Sequence, residues 1–194
     1  PARCRIDEWH CRRLSGYAHH GPVCNVGYAM PMTSFIDADF DIPMGLNEPD
    51  FIVRPLTIHD AVKDYDAVMS SRMQLAGLFG PADAWPAADL SLEQNLIDLA
   101  WHQKEFQLRR SFAYTVMRPD ESQCLGCVYI EPSPKRGYDA QLFFWVRNSA
   151  AETGLDARLD SALHQWLNDA WAFKHVARPG RDIDWLEWQA LADI

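Results

Sequence analysis

Leu142-Phe143-Phe144-Trp145-Val146-Arg147 is the run on which the fold turns, because a short loop, Asn148 to Thr153, carries it straight into a periodic stretch that opens at Gly154. An unbroken apolar run, rich in aromatics and closed by an arginine, reads as a strand covered on both faces, and we expect that strand over residues 138–147. Downstream, Leu155, Leu159, Leu163, Trp166, Leu167 and Ala170 fall on one face at helical spacing, so residues 154–173 read as an amphipathic helix.

The pattern extends upstream as far as Phe51. Phe51 to Leu56 is a short strand, and Thr57-x-x-Asp60 is a capping box opening a helix that reaches about Leu78. Gly77 to Leu90, with Gly80, Pro81, Trp85 and Pro86, is a loop, after which Ser91-x-x-Gln94 opens a second helix ending near Arg109. Phe112 to Met117 and Cys124 to Ile130 form a hairpin around Pro119-Asp120-Glu121-Ser122. Past Phe173, Pro179-Gly180 interrupts any strand near His175, and Asp182 to Ala192 reads as a last short helix with Trp185 and Trp188 turned inward. Residues 1–50 show turn residues, scattered Cys and His and no sustained period, so an extended or poorly ordered arm is expected there, ahead of one domain over residues 51–194. The chain starts at Pro1, and Met30 or Met32 is a natural start if residues 1–31 are an upstream extension.

Composition narrows the function. With 194 residues, 48% of them hydrophobic, the chain can bury a full core. A net charge of -9 argues against nucleic acid, which needs a concentrated basic surface, and favours a cationic or amine-bearing ligand. No apolar segment follows the charged start, so no secretory signal is expected. Leu14 to Ile36 lacks Asp, Glu, Lys and Arg but holds His19, His20, Gly21, Pro22 and Pro31, too polar and broken for a membrane span. Five cysteines without an export signal predict reduced thiols and a cytoplasmic protein.

Residues 138–173 resemble the acetyl-CoA-binding core of the GNAT family of N-acetyltransferases, in which a strand, the sequence Q/R-x-x-G-x-G/A and a long helix follow one another. The six motif positions fall on Ala151, Glu152, Thr153, Gly154, Leu155 and Asp156. Only the middle glycine is kept. Leu125-Gly126-Cys127-Val128 resembles the family's third strand and Ala140 to Val146 its fourth, and the order strand, helix, helix, hairpin, strand, helix over about residues 51–181 is the family's own. The resemblance implies an α/β (α+β) domain, a GNAT-like central mixed sheet flanked by helices. It also implies further strands and a helix beyond the motif helix, whereas only 21 residues follow Phe173.

The activity so implied is transfer of an acetyl group from acetyl-CoA to a small amine or an amino terminus. The backbone of Phe144, Trp145 and Val146 would pair with the pantetheine arm. Thr153, Gly154, Leu155 and Asp156 would form the phosphate turn, where backbone N-H groups and the helix dipole favour an anion. Residue chemistry opposes this: Thr153-x-x-Asp156 reads as a capping box whose carboxylate takes those amide donors, and Ala151 supplies no counter-charge, leaving Arg147 or Arg158 to do so. In such enzymes the amine attacks the thioester while a base removes a proton and an acid protonates the leaving thiolate. Where relatives carry a glutamate, this chain has Gln141, so Asp139, Glu131 and Tyr138 stand as substitutes for the base and Tyr129 as a proton donor. The Gly77 to Leu90 loop overhangs the acyl end in the resembled fold, which makes Trp85 the residue expected to line the acceptor pocket. Two other classes fit the same chain: a catalytically inactive GNAT-like domain acting as a ligand-binding or protein-interaction module, and a domain whose tryptophan-rich C-terminus seals a homo-oligomer.

No metal is expected. Cys124-x-x-Cys127 lies in a strand, where positions i and i+3 point to opposite faces. Asp37-x-Asp39-x-Asp41 with Glu48 imitates a calcium loop but has Ile42 where glycine is needed. Cys4, Cys11, His19, His20 and Cys24 follow no zinc spacing.

Overall fold

The computed structural model describes residues 35–194. Six strands form one sheet in the order of the chain: β1 (Leu46–Asn47), β2 (Ile52–Pro55), β3 (Phe112–Met117), β4 (Cys124–Pro132), β5 (Ala140–Val146) and β6 (Val176–Ala177). Neighbours are antiparallel except for β5 and β6, which run parallel. Between β2 and β3 lie α1 (Ala61–Ser70), α2 (Arg72–Leu75) and α3 (Leu92–Gln107). Between β5 and β6 lie α4 (Asn148–Ala151) and α5 (Leu155–Ala170), and α6 (Trp185–Ala190) follows β6.

Every residue of β3 and β5 is buried, as the apolar runs demand, because each face of the sheet has its own helical cover. On one side Leu155, Leu159, Leu163 and Trp166 of α5 pack on Tyr114, Val128, Leu142 and Phe144. On the other, Ala67 and Val68 of α1 and Leu99 of α3 pack on Cys127, Tyr129, Phe143 and Trp145. Among the described residues no helix is long and apolar enough to cross a membrane.

The structure departs from expectation at β6, which forms beside His175 just ahead of Pro179-Gly180, and in three further places. The first helix stops at Ser70, and the chain resumes as the single turn α2. The expected arm divides: residues 1–34 lie outside the described residues, whereas Leu46 pairs with Val53, Ile36 enters the core and Phe35 stacks on Phe112 and Phe173. The third of these is a β-bulge. Val116 pairs with Gly126 but Met117 with Cys124, leaving Leu125 as the extra residue on β4. Only glycine fits beside it, because a Cβ on Gly126 would stand 1.9 Å from the Trp145 carbonyl oxygen. The bulge shifts the alternation by one, so Cys124 and Cys127 both face the α1 and α3 side, against the expectation of opposite faces.

Candidate cofactor cleft and acceptor side

β6 pairs with β5 only at Ala140 and Gln141, after which β5 continues alone to Val146 and the strands part. Beyond that point β5 presents an edge. The carbonyls of Phe144 and Val146 point outward along it, whereas the Trp145 carbonyl faces Gly126 on β4. Of the three residues expected to pair with a pantetheine arm, Phe144 and Val146 therefore have edge groups to offer and Trp145 does not. Its ring lies on the α1 and α3 side, 6.3 Å from that of Trp85.

Side chains already occupy this edge. Arg181 donates to the Phe144 carbonyl at 3.4 Å and lays its guanidinium 3.6 Å above the Phe144 ring. Gln74 of α2 donates to the Val146 carbonyl at 3.5 Å.

The turn into α5 differs from the capping box expected of Thr153 and Asp156. The Thr153 hydroxyl donates backward to the Ala150 carbonyl, and the N-cap is Gly154, held at φ 76° in the left-handed region that glycine enters freely. The Asp156 carboxylate leaves the first-turn amides alone and binds Arg181 through both oxygens, at 2.8 and 3.0 Å. Leu155 is buried in the core. The two arginines expected beside the turn differ. Arg147 reaches toward α1, to Asp66 at 3.1 Å and Ser70 at 3.2 Å, whereas Arg158 lies at the turn, donating to the Thr153 carbonyl at 2.9 Å while paired with Asp50 at 2.6 Å. Arg181 is a second cation at this turn, and 25 residues separate it from its partner Asp156.

The four catalytic candidates separate. The Asp139 carboxylate accepts the amides of Lys174 at 2.7 Å and His175 at 3.0 Å, and these bonds, His175's foremost, hold its carboxyl below the usual range. It fastens the start of β5. Tyr138 packs edge-on against Trp188. Glu131 and Tyr129 share the α1 and α3 face of β4. Buried Glu131 accepts from Gln141 at 3.1 Å, and Gln141 is the last residue of β5 that β6 pairs with, so this carboxylate stands where the strands part. Tyr129 accepts a long bond from the Trp145 indole, 3.4 Å.

Trp85 packs on Phe79 and with it lines a cavity of about 20 Å³, room for one water. Sequence reasoning missed the polar wall of this cavity: Asp64 from α1, and Asn95, Asp98 and His102 from α3. A stripe at i, i+3 and i+7 from Asn95 was the available signal. Asp64 is 3% exposed, accepting from Asn95 at 2.9 Å and from the Cys127 thiol at 3.2 Å. Burial pushes its carboxyl up to about 6 and holds the Cys127 thiol well above its ordinary value.

This architecture occurs in solved acetyltransferases. The ribosomal-protein-S5-alanine acetyltransferase of Vibrio fischeri matches with a TM-score of 0.50 and 16% identity, over 66% of this chain and 67% of that one. The microcin C7 self-immunity acetyltransferase MccE, solved with acetyl-CoA and AMP, matches with a TM-score of 0.55 and 14% identity, over 71% and 73%. The chain has the GNAT fold: a mixed six-stranded sheet flanked by helices in a single domain. No protein-family model matches its sequence, and no curated protein matches it either.

Proposed function

We propose that this protein moves an acetyl group from acetyl-CoA to the nitrogen of a small amine or a peptide amino terminus. The observation that carries the reading is the parting of β5 and β6 beside the start of α5, which sets a strand edge and a helix N-terminus side by side. The residues present fit the cofactor once Arg181 swings off the edge. Phe144 and Val146 would offer backbone groups to its arm, and the first turn of α5, with Gly154 before it and Arg181 beside it, would meet its phosphates. Acetyl-CoA supplies an activated thioester carbonyl. Glu131, at the point where the strands part, takes the proton from the attacking amine, and Tyr129 is the proton donor on the same face. A net charge of -9 suits a cationic acceptor.

A second reading, a GNAT-shaped binding module without catalysis, is favoured by one specific observation: Arg181 and Gln74 already satisfy the edge carbonyls, and Asp156 sets a negative charge at the turn. Calorimetric titration with acetyl-CoA, followed by a thiol-release assay over a panel of amines and peptides, separates the two. Binding with release that Glu131→Gln slows by about 10²-fold or more, at unchanged cofactor affinity, supports the first reading. Absence of binding by the folded protein leaves the second.

A further inference from the structure

We propose that Asp64, Cys124 and Cys127 form a zinc site that ties α1 to β4. The ligand atoms of these three residues, one from a helix and two from a strand, all lie within 4.8 Å of one another and are buried. The Cys127 sulfur stands 3.2 Å from an Asp64 oxygen. Zinc bonds of about 2.0–2.3 Å in tetrahedral array place ligand atoms about 3.3–3.8 Å apart, so the three need only small movements to meet one ion.

The bulge makes this arrangement. In a regular strand Cys127 would face α5, and the extra residue Leu125 brings it round to the face that Cys124 and Asp64 occupy. Bulges re-aim side chains in this way near functional sites. Two sulfurs with one carboxylate form a borderline-soft set that selects zinc over calcium or magnesium. A second observation points to a cation. Among the described residues no lysine or arginine pairs with the Asp64 carboxylate; its partners are an amide and a thiol. A buried carboxylate without a counter-charge is unfavourable, and a divalent ion supplies one. The surroundings resemble those that orient metal ligands. Asn95 holds the other Asp64 oxygen at 2.9 Å, and the Thr115 hydroxyl lies 3.6 Å from the Cys124 sulfur.

On loading, Zn²⁺ enters and both S-H protons leave. Two Zn-S bonds and one Zn-O bond form, with no change of oxidation state. Buried as it is, the site acts as a cross-link between layers, and it stands whether or not the acetyl-transfer reading does.

The test uses the full, untagged chain with Cys4, Cys11 and Cys24 replaced by Ser, so that Cys124 and Cys127 are its only thiols. Zinc content after dialysis against zinc should be one per chain, and Co²⁺ in its place should show thiolate-to-cobalt absorption in the near ultraviolet. Zinc should raise the thermal midpoint by about 5 °C or more, and a chelator should reverse it. Cys127→Ser should remove the bound zinc and the cobalt band. Should that variant fail to fold, titration of the parent in two buffers of different ionisation enthalpy still decides, with about two protons released per zinc expected. A midpoint indifferent to zinc, zinc retained by a folded Cys127→Ser chain, or no proton release would each overturn the site.

Discussion

Asp156→Asn separates charge from shape at the start of α5. The Asp156 side chain is 42% exposed and that of Arg181 30%, so their ion pair contributes no more than about 1 kcal/mol to stability. The amide preserves the side-chain volume, and Gly154 rather than Asp156 is the N-cap, so no cap is lost. What changes is the field at the turn. In the native chain the Asp156 carboxylate cancels Arg181; in the variant a full positive charge remains beside the first-turn amides. A unit charge at contact distance in water is worth about 1 kcal/mol for each charge it meets, and a pyrophosphate brings two, so coenzyme A should bind about 5 to 30 times more tightly. Calorimetry with coenzyme A measures this, and repeating it in about 0.5 M salt should shrink the gain, because screening is strong there. Urea denaturation should place the stability loss under about 1 kcal/mol. An unchanged or weaker affinity in a chain that binds the cofactor would refute the reasoning, since the phosphates would then not lie at this turn.

Three further outcomes are expected. Gly126→Ala puts a Cβ 1.9 Å from a backbone oxygen that cannot step aside, so the hairpin must shift and stability should fall by about 2–3 kcal/mol or more, read as a lower thermal midpoint. Ser91→Ala removes the side chain that accepts the Gln94 amide at 3.1 Å, with a loss of about 1 kcal/mol in urea. Asp139→Asn keeps an acceptor but loses the charge, and should lose about 1 kcal/mol at neutral pH, discounted for exposure. Because the folded-state carboxyl of Asp139 lies below 3.8, its stabilisation is present above that pH and disappears as pH falls through the folded value; the gap between wild-type and variant curves should narrow as the solution is acidified past it.

The layers of this fold were legible because local pattern and global burial agree. The run Leu142 to Val146 and the leucine stripe of α5 each announce the face they cover, and Thr57 and Ser91 mark helix starts that the structure keeps. What local pattern could not show is where regularity fails. Nothing between Thr57 and Leu78 separates one long helix from α1, the break at Ser71 and α2. Two-residue strands such as β1 and β6 have too few positions for a period and form because a neighbour supplies a partner.

The candidate site was less legible for the same reason in sharper form. Its decisive contacts join residues far apart in the chain: Arg181 with Asp156, Asp64 with Cys127, Arg147 with Asp66. Reading Thr153 and Asp156 as a capping box used the one partner the sequence offered nearby, and Arg181, arriving from beyond β6, competes for the same carboxylate with two charge-assisted bonds. That capture also bears on whether the cleft can open. Arg181 is held by one long hydrogen bond to Phe144, a cation-π contact of about 0.5–1 kcal/mol and an ion pair of about 0–1 kcal/mol. Together these amount to roughly 2–3 kcal/mol, while a ligand bound at micromolar strength brings about 8 kcal/mol. Displacing the plug would therefore weaken such a ligand by about two orders of magnitude at most, so an edge occupied by Arg181 in the free protein is compatible with a cofactor cleft.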